Sequence, residues 1–178
     1  MSPKQLRIEH PLDEQYQALY EMALAVAEAY LAHANWLIER SATRNLHTHL
    51  LISVRIRTPG SWSATWAKKV AIKDSERSRA VSAKLRPFGS AKTGRSVTID
   101  MPKGDGYSYK ASTFTSLPQE IREVAMHYER LLTDLRKAAH ENRVLCRTMK
   151  TVEARTDKTL SACAAAIAAG KGLRDALL

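Results

Sequence analysis

Regularly spaced cations are the residues of this sequence best suited to chemistry with a charged partner. The stretch from 47 to 72 alternates apolar with basic or polar residues on both sides of a Pro-Gly turn. Alternation places every second side chain on the same face of a strand, so Arg55 and Arg57 share a face, as do Lys69 and Lys73. Guanidinium and ammonium groups in such a row can neutralise the phosphates of a nucleic acid and release its counterions.

The positive charge of the chain is concentrated around this stretch. Fourteen of the 28 Lys and Arg residues lie between 44 and 116 with only four acidic residues, which gives this part a net +10, equal to that of the whole chain. Such asymmetry favours a polyanionic partner over a surface charged only for solubility. The candidate nucleic-acid-binding residues are Arg55, Arg57, Lys69, Lys73, Arg77, Arg79, Lys84, Arg86, Lys92, Arg95, Lys103 and Lys110.

Two histidines before the first strand, His47 and His49, form a pattern of metal-binding type. Side chains two apart on a strand point the same way and could hold a metal. Relaxases and related nicking enzymes combine a histidine–hydrophobic–histidine strand with a tyrosine nucleophile. Here the middle residue is Thr48, and the candidate tyrosines fall on a predicted core stripe. The pattern therefore favours an exposed strand start over a metal-dependent nickase. We predict no enzymatic activity, no metal and no cofactor.

The elements that position the cations follow from hydrophobic periodicity. Apolar residues at steps of three and four predict a long amphipathic helix over residues 12–43. Period-two patterns within residues 50–110 predict a hairpin and a third strand, RSVTIDM, with a polar, basic connection over 73–94. One face of this sheet is expected to pack its tryptophans against helices and the other to display the cations. Tyr107 and Tyr109 are expected to cover the sheet edge rather than to stack on bases.

A second long helix is predicted over residues 116–155, because Ser116 and Gln119 form a capping-box pattern. It carries a seven-residue repeat in which Asn142 is the type of residue that fixes register in coiled coils. The second position of this repeat contains Val124, Leu131, Ala138, Leu145 and Val152. Further apolar residues widen the seam, which favours packing in a bundle against the first helix, with a second subunit as an open addition. Residues 158–178 predict a separate short, alanine-rich helix.

Together these elements predict a single α+β domain over residues 1–178: a small antiparallel β-sheet packed against two long α-helices, plus a short C-terminal helix. The sequence contains no apolar run near the roughly 18 residues of a membrane span and no signal-peptide pattern. Cys146 and Cys163 form no disulfide framework. We therefore expect a cytoplasmic protein with reduced thiols and no membrane partner.

Four segments, taken in order, resemble one known family. They are the long N-terminal helix, the VRIR…SW…W ribbon, the IDMPKG…YSY segment and the charged helix containing HYERLLTDLRK. Over roughly residues 12 to 147 the chain resembles the MobI-like conjugative transfer proteins, auxiliary factors of integrative conjugative elements and related large plasmids. The resemblance implies a non-catalytic DNA-binding accessory factor that acts with a relaxase at the origin of transfer. It supplies no catalytic residues.

Two other functions stay open on the sequence alone. A protein–protein adaptor or regulator would oligomerise through the helix that begins near Ser116, as a homodimer or with another chain, and present the basic patch to an acidic protein. An RNA-binding protein would show the same charge pattern, since phosphate neutralisation does not separate DNA from RNA.

Overall fold

Along the chain, one long helix precedes the strands of an antiparallel sheet and a second long helix follows them. This order of elements confirms the predicted α+β class. A computed structural model describes residues 5–6, 8–41, 48–72, 88–91 and 94–175, with side chains described at all of these except 71–72, 88–91, 94–96 and 171–175. The elements are α1 (Pro11–Arg40), β1 (Leu50–Thr58), β2 (Ser61–Ile72), β3 (Phe88–Ala91), β4 (Gly94–Asp100), a 3₁₀ helix (Ala111–Phe114) and α2 (Gln119–Asp175). The chain divides into two units, Met1–Ala139 and His140–Leu178, and the second contains the C-terminal part of α2.

α1 begins at Pro11, where side chains satisfy the amides that a first helical turn leaves unpaired. The His10 ring accepts a hydrogen bond from the Leu12 amide at 3.1 Å. The Asp13 carboxylate accepts from the amides of Glu9 and His10, each at 3.1 Å. The buried apolar residues of the helix are Tyr16, Ala23, Val26, Tyr30 and Ala34. All five belong to the stripe predicted from three- and four-residue spacing.

The sheet has the strand order β1-β2-β4-β3, and every neighbouring pair is antiparallel. β1 and β2 form the predicted hairpin, with Val54 opposite Ala64. β3 lies within the stretch predicted as a connection and pairs with β4, Phe88 opposite Ser96. A strand of four residues with glycine and serine inside it is too short and too polar to show a period-two pattern, which explains why periodicity did not predict it.

The inner face of the sheet, formed by even-numbered residues of β1 and β2, is covered by aromatic rings. Trp66 is completely buried, with its ring centroid 4.8 Å from that of Tyr30 and 5.0 Å from that of Phe114. Trp62 packs against Tyr16 of α1 at a centroid distance of 5.8 Å. Tilted and edge-to-face ring pairs add about 0.5–1.5 kcal/mol each beyond area burial. These contacts fix which face of the sheet remains exposed.

β2 pairs with β4 only over its second half, so its first half needs other partners for its backbone. The Tyr109 hydroxyl accepts a hydrogen bond from the Trp66 amide at 3.2 Å and donates to the Met101 carbonyl at 3.1 Å. Nε of Arg136 donates to the Ala64 carbonyl at 2.8 Å. The loop after β4 and helix α2 therefore complete the sheet edge, and Tyr109 has the covering role expected for it.

Ionisation of Tyr109 is expected to destabilise the fold at alkaline pH. Burial raises the pKa of Tyr109 above its ordinary 10.0, although the Trp66 amide and the Arg136 charge oppose the rise. An unfolded tyrosine ionises first, so this contribution to stability is complete below pH 10 and is lost as the pH rises through the raised pKa. Urea unfolding at neutral and alkaline pH should show a smaller alkaline decline for Tyr109→Phe than for the wild type. That variant should also lose about 1–3 kcal/mol at neutral pH, because the Trp66 amide loses its acceptor. Equal alkaline declines would contradict the assignment.

The buried stripe of α2 contains the first position of the predicted seam but not most of the second. At the first position Ile121 and Asn142 are buried, and Tyr128 and Leu135 pack half-buried against the core. Leu131, Leu145 and Val152, from one position of the predicted repeat, are 40, 50 and 58 % exposed. The buried apolar residues of the helix are Ile121, Val124, Ala125, Leu132, Ala139 and Cys146. Ala125, Leu132, Ala139 and Cys146 are spaced by seven, so the buried stripe keeps the predicted seven-residue period. It lies on the flank of the first repeat position that is opposite to Leu131, Leu145 and Val152.

The prediction of a separate C-terminal helix is wrong, because α2 continues without a break for 57 residues to Asp175. The segment between the two predicted helices contains no proline or glycine, so nothing in it ends the first helix. Gly170 lies inside α2, since a glycine costs a helix only about 1 kcal/mol. Cys146 and Cys163 are both free. None of the helices within the described ranges combines the length and apolarity required to cross a membrane.

Candidate nucleic-acid interface

The candidate interface is the outer face of the sheet, opposite the aromatic core. Odd-numbered residues of β1 and β2 point to it, and the register sets Arg55 opposite Ser63 and Lys69 opposite Thr98. The same alternation brings Asp100 of β4 to this face. The residues in mutual contact there, named here the outer-face cluster, are Arg55, Arg57, Ser63, Thr65 and Asp100.

One carboxylate holds both arginines of the outer-face cluster. Nη2 of Arg55 lies 3.2 Å from Oδ1 of Asp100, and Nη2 of Arg57 lies 3.2 Å from Oδ2. Nε of Arg57 also donates to Oγ of Ser63 at 2.9 Å. The Thr65 hydroxyl donates to Oδ1 of Asp100 at 3.3 Å. Since two guanidinium groups share one carboxylate, this trio keeps a single net positive charge.

The ion pairs of the cluster are open to solvent and can be exchanged for another anion. The side chains of Arg55, Arg57 and Asp100 are 34, 50 and 31 % exposed. Ion pairs this exposed contribute about 0–1 kcal/mol, so a phosphate can replace the carboxylate at little cost. The carboxylate also restricts the guanidinium groups to one geometry, which reduces the side-chain entropy lost when an anion binds.

Lys69 adds a further cation to the outer face. Its amide donates to the His49 carbonyl at 2.8 Å, which fixes the strand, and its side chain is exposed. In the part of the chain that the structure describes, Lys69 forms no ion pair. Among the described residues, the outer face therefore presents two arginines paired with one carboxylate and one ammonium group outside any ion pair.

The two loop lysines lie in different surroundings. The Lys103 ammonium donates to the Gly106 carbonyl and lies 6.0 Å from the Tyr107 ring centroid, so it is directed into its own loop. Burial lowers the pKa of Lys103, the Arg136 charge lowers it further, and Glu129 opposes the shift. Lys110 is exposed immediately before the 3₁₀ helix. Among the described residues, neither lysine contacts the outer-face cluster.

Several candidate residues lie outside the described residues: Lys73, Arg77, Arg79, Lys84, Arg86, Lys92 and His47. Arg95 belongs to β4, where its backbone lies opposite Ile72. His49 is described, immediately before β1. Within the same described ranges, no group of three or more His, Cys, Asp or Glu side chains is arranged to hold a metal ion.

A buried ion pair beneath the sheet holds the strand that carries part of the outer face. Oε2 of Glu129 accepts from Nε1 of Trp66 at 2.6 Å, and Oε1 accepts from the Tyr109 amide at 2.7 Å. Nη1 of Arg136 lies 2.9 Å from Oε1 of Glu129. Arg136 also donates to the Tyr107 carbonyl at 2.8 Å. This network, named here the Glu129–Arg136 network, joins α2 to β2 and to the loop after β4.

Sequence reasoning missed both Asp100 and the Glu129–Arg136 network. A signal for Asp100 was present, because an inward Val97 places residue 100 on the opposite face by period two. A weaker signal existed on α2, where residues seven apart lie two turns along the same side of the helix, so that Glu129 and Arg136 can meet. Nothing in their spacing distinguishes a buried pair from the exposed pairs common on helices.

A family model described as MobI protein matches residues 19–150, which include the sheet, most of α1 and the first half of α2. No curated protein and no solved structure matches the chain. The family match covers well over half of the sequence and confirms the resemblance seen in its segments. The chain therefore belongs to the MobI family, which links it to conjugative mobilisation.

Proposed function

We propose that this protein is a non-catalytic DNA-binding accessory factor of conjugative mobilisation that acts with a relaxase at the origin of transfer. The observation that carries the proposal is that Arg55, Arg57 and Lys69 share one exposed face of the sheet. The opposite face is covered by the aromatic core, so the cations cannot turn inward. Mobilisation acts on DNA, and a row of cations is the surface that neutralises its phosphates.

The chemistry of the outer face favours contact with the nucleic-acid backbone. The guanidinium of arginine binds phosphate oxygens as a planar fork, whereas the ammonium of Lys69 acts as a point charge. Phosphate contacts fix the position of a protein on a duplex and carry no sequence information. The outer face by itself is therefore expected to bind DNA with little sequence preference.

Removing the carboxylate of Asp100 is expected to strengthen DNA binding. In Asp100→Asn the arginines lose their shared counter-charge, so one more cation becomes available to a phosphate. The slope of log Kd against log salt should steepen by about 0.9, the contribution of one phosphate contact. Fluorescence anisotropy over a salt series measures this on labelled duplex DNA, single-stranded DNA and RNA of one sequence. Tighter binding to the RNA probe would move the proposal from DNA to RNA.

The matched control for this experiment is Asp105→Asn, an exposed acid of the loop after β4 with the same change of charge. If the outer face contacts the phosphates, the slope changes in Asp100→Asn and stays near the wild-type value in Asp105→Asn. Equal slopes in the two variants would mean that only net charge matters and would remove the outer face from the proposal.

A second candidate function, a self-associating adaptor, is favoured by one observation on the C-terminal unit. Its large apolar residues Leu145, Val152, Leu160 and Ile167 are 50, 58, 63 and 62 % exposed. They follow steps of seven and eight along α2, as apolar residues facing a second helix do. Light scattering over a dilution series should show dimers that dissociate in Val152→Glu with Leu160→Glu. A monomer at every concentration of the wild type would exclude this function.

A further inference from the structure

β1 is an edge strand of the sheet, and its free side exposes backbone groups. The strand order places β2 on one side of β1 only. The Lys69 amide donates to the His49 carbonyl, so odd-numbered residues of β1 direct their backbone groups toward β2. Even-numbered residues of β1 therefore direct their amides and carbonyls toward the free edge, while their side chains face the core.

The free edge is closed at one end and irregular at the other. At Leu50 the carbonyl accepts from the Tyr30 hydroxyl at 3.4 Å and from the Thr48 hydroxyl at 3.2 Å. At the other end the pairing register shifts between Ile56 and Thr58. Between these points the amides and carbonyls of Ile52 and Val54 have no hydrogen-bond partner among the described residues. Within the described ranges, four aligned backbone groups on this edge are therefore open to a partner.

A groove of about 570 Å³ lies along this part of the edge. One side of it is apolar and consists of Leu24, Ala27 and Leu31 on successive turns of α1, with Glu28 beside them. The other side consists of residues 51–55 of β1 and reaches Lys69 on the outer face. Leu31 is 48 % exposed, so the apolar side is open to a ligand.

We propose that this groove binds an extended segment of a partner protein in which apolar and acidic residues alternate. Such a segment adds as a strand beside β1 and takes its main-chain hydrogen bonds from Ile52 and Val54. Its alternate side chains point to opposite faces of the extended sheet. Those on the inner side meet Leu31 and its apolar neighbours, and those on the outer side lie next to Arg55 and within reach of Lys69, which selects carboxylates.

The cations beside the edge argue against a second copy of the chain as the occupant. Antiparallel pairing of two β1 strands would bring the Arg55, Arg57 and Lys69 of both copies to one face of the joined sheet, so the second copy would add net positive charge beside cations that already need an anion. An acidic strand at the same edge would instead place carboxylates next to these cations, and those contacts are attractive. The proposal depends on the free edge of β1 and stands whether or not the outer face binds DNA.

Val54→Pro tests the proposal because it removes an amide that the sheet itself does not use. Proline is tolerated on edge strands, so the β1-β2 pairing should persist. Val54→Ala shortens the same side chain and keeps the amide, which makes it the matched control. The probe is a blocked, fluorescent peptide of alternating valine and glutamate, compared with one of alternating valine and lysine, in polarisation titrations.

The wild type and Val54→Ala should bind the glutamate peptide saturably and at least about tenfold more tightly than the lysine peptide. Val54→Pro should lose that binding while its retention on DNA stays unchanged. Absence of saturable binding, equal binding of both peptides, or unchanged binding by Val54→Pro would overturn the proposal.

Two further variants test the apolar side of the groove. Leu31→Glu should weaken binding of the glutamate peptide, whereas Met22→Glu should not, because Met22 is 55 % exposed on α1 and does not line the groove. Amide hydrogen exchange at Ile52 and Val54 should slow only when the peptide is present. Slow exchange without peptide that depends on protein concentration would assign the edge to a second copy instead.

Discussion

Arg136→Ala is expected to lower the free energy of unfolding by about 3–5 kcal/mol, the range observed when one partner of a buried ion pair is removed. Arg136 and Glu129 have side chains only 8 and 6 % exposed, and the variant would leave the Glu129 carboxylate buried without its cation. The Ala64 carbonyl would also lose its donor. Urea unfolding followed by circular dichroism measures the loss.

Two control variants separate charge from geometry in this network. Arg130→Ala, at an exposed position of the same helix, should change stability by less than about 0.5 kcal/mol. Arg136→Lys keeps the positive charge but loses the planar guanidinium, which donates to Glu129 and to backbone carbonyls of the sheet and the loop at the same time. The stability of this variant should lie between those of the wild type and Arg136→Ala. Equal effects of Arg136→Ala and Arg130→Ala would show that the network adds nothing.

The elements that were predicted correctly from the sequence are those with a regular hydrophobic period. α1 carries its apolar stripe through to Ala34, and β1 and β2 alternate on both sides of their turn. The predicted seven-residue period of α2 holds along its buried side, where Leu132, Ala139 and Cys146 are seven residues apart. The second predicted position was wrong, because the buried side lies on the other flank of the first position and Leu145 and Val152 are exposed. The short strand β3 carries no period at all.

The predicted interface was harder to obtain from sequence because it depends on pairing between distant strands. Period two places Arg55 and Arg57 on one face, and that follows from local spacing alone. Their contact with Asp100 depends on the register of β4 against β2, in which Asp100 lies opposite Ala67, 33 residues earlier in the chain. Register is set by packing and turns rather than by charge, so counting acids and bases could not show that one acid serves both arginines.

Reversing the charge of both arginines, Arg55→Glu with Arg57→Glu, is expected to abolish retention on duplex DNA at low salt. The variant converts an outer-face cluster of net charge +1 into three neighbouring carboxylates, because Asp100 stays in place. Carboxylates repel phosphates, and they cannot release counterions from DNA as the arginines do. The two side chains are at least one-third exposed, so circular dichroism should show an unchanged fold.

The control is Arg147→Glu with Arg155→Glu, two exposed positions of α2 that undergo the same change of net charge. If the control is retained on DNA and Arg55→Glu with Arg57→Glu is not, binding is located on the outer face. Equal loss of retention in both variants would mean that only the overall charge matters. A milder pair, Arg55→Gln with Arg57→Gln, avoids repulsion. Its salt slope should fall by about 0.9 for each phosphate contact removed. Unchanged slope and affinity in the milder pair would mean that the two arginines serve only Asp100 and the sheet.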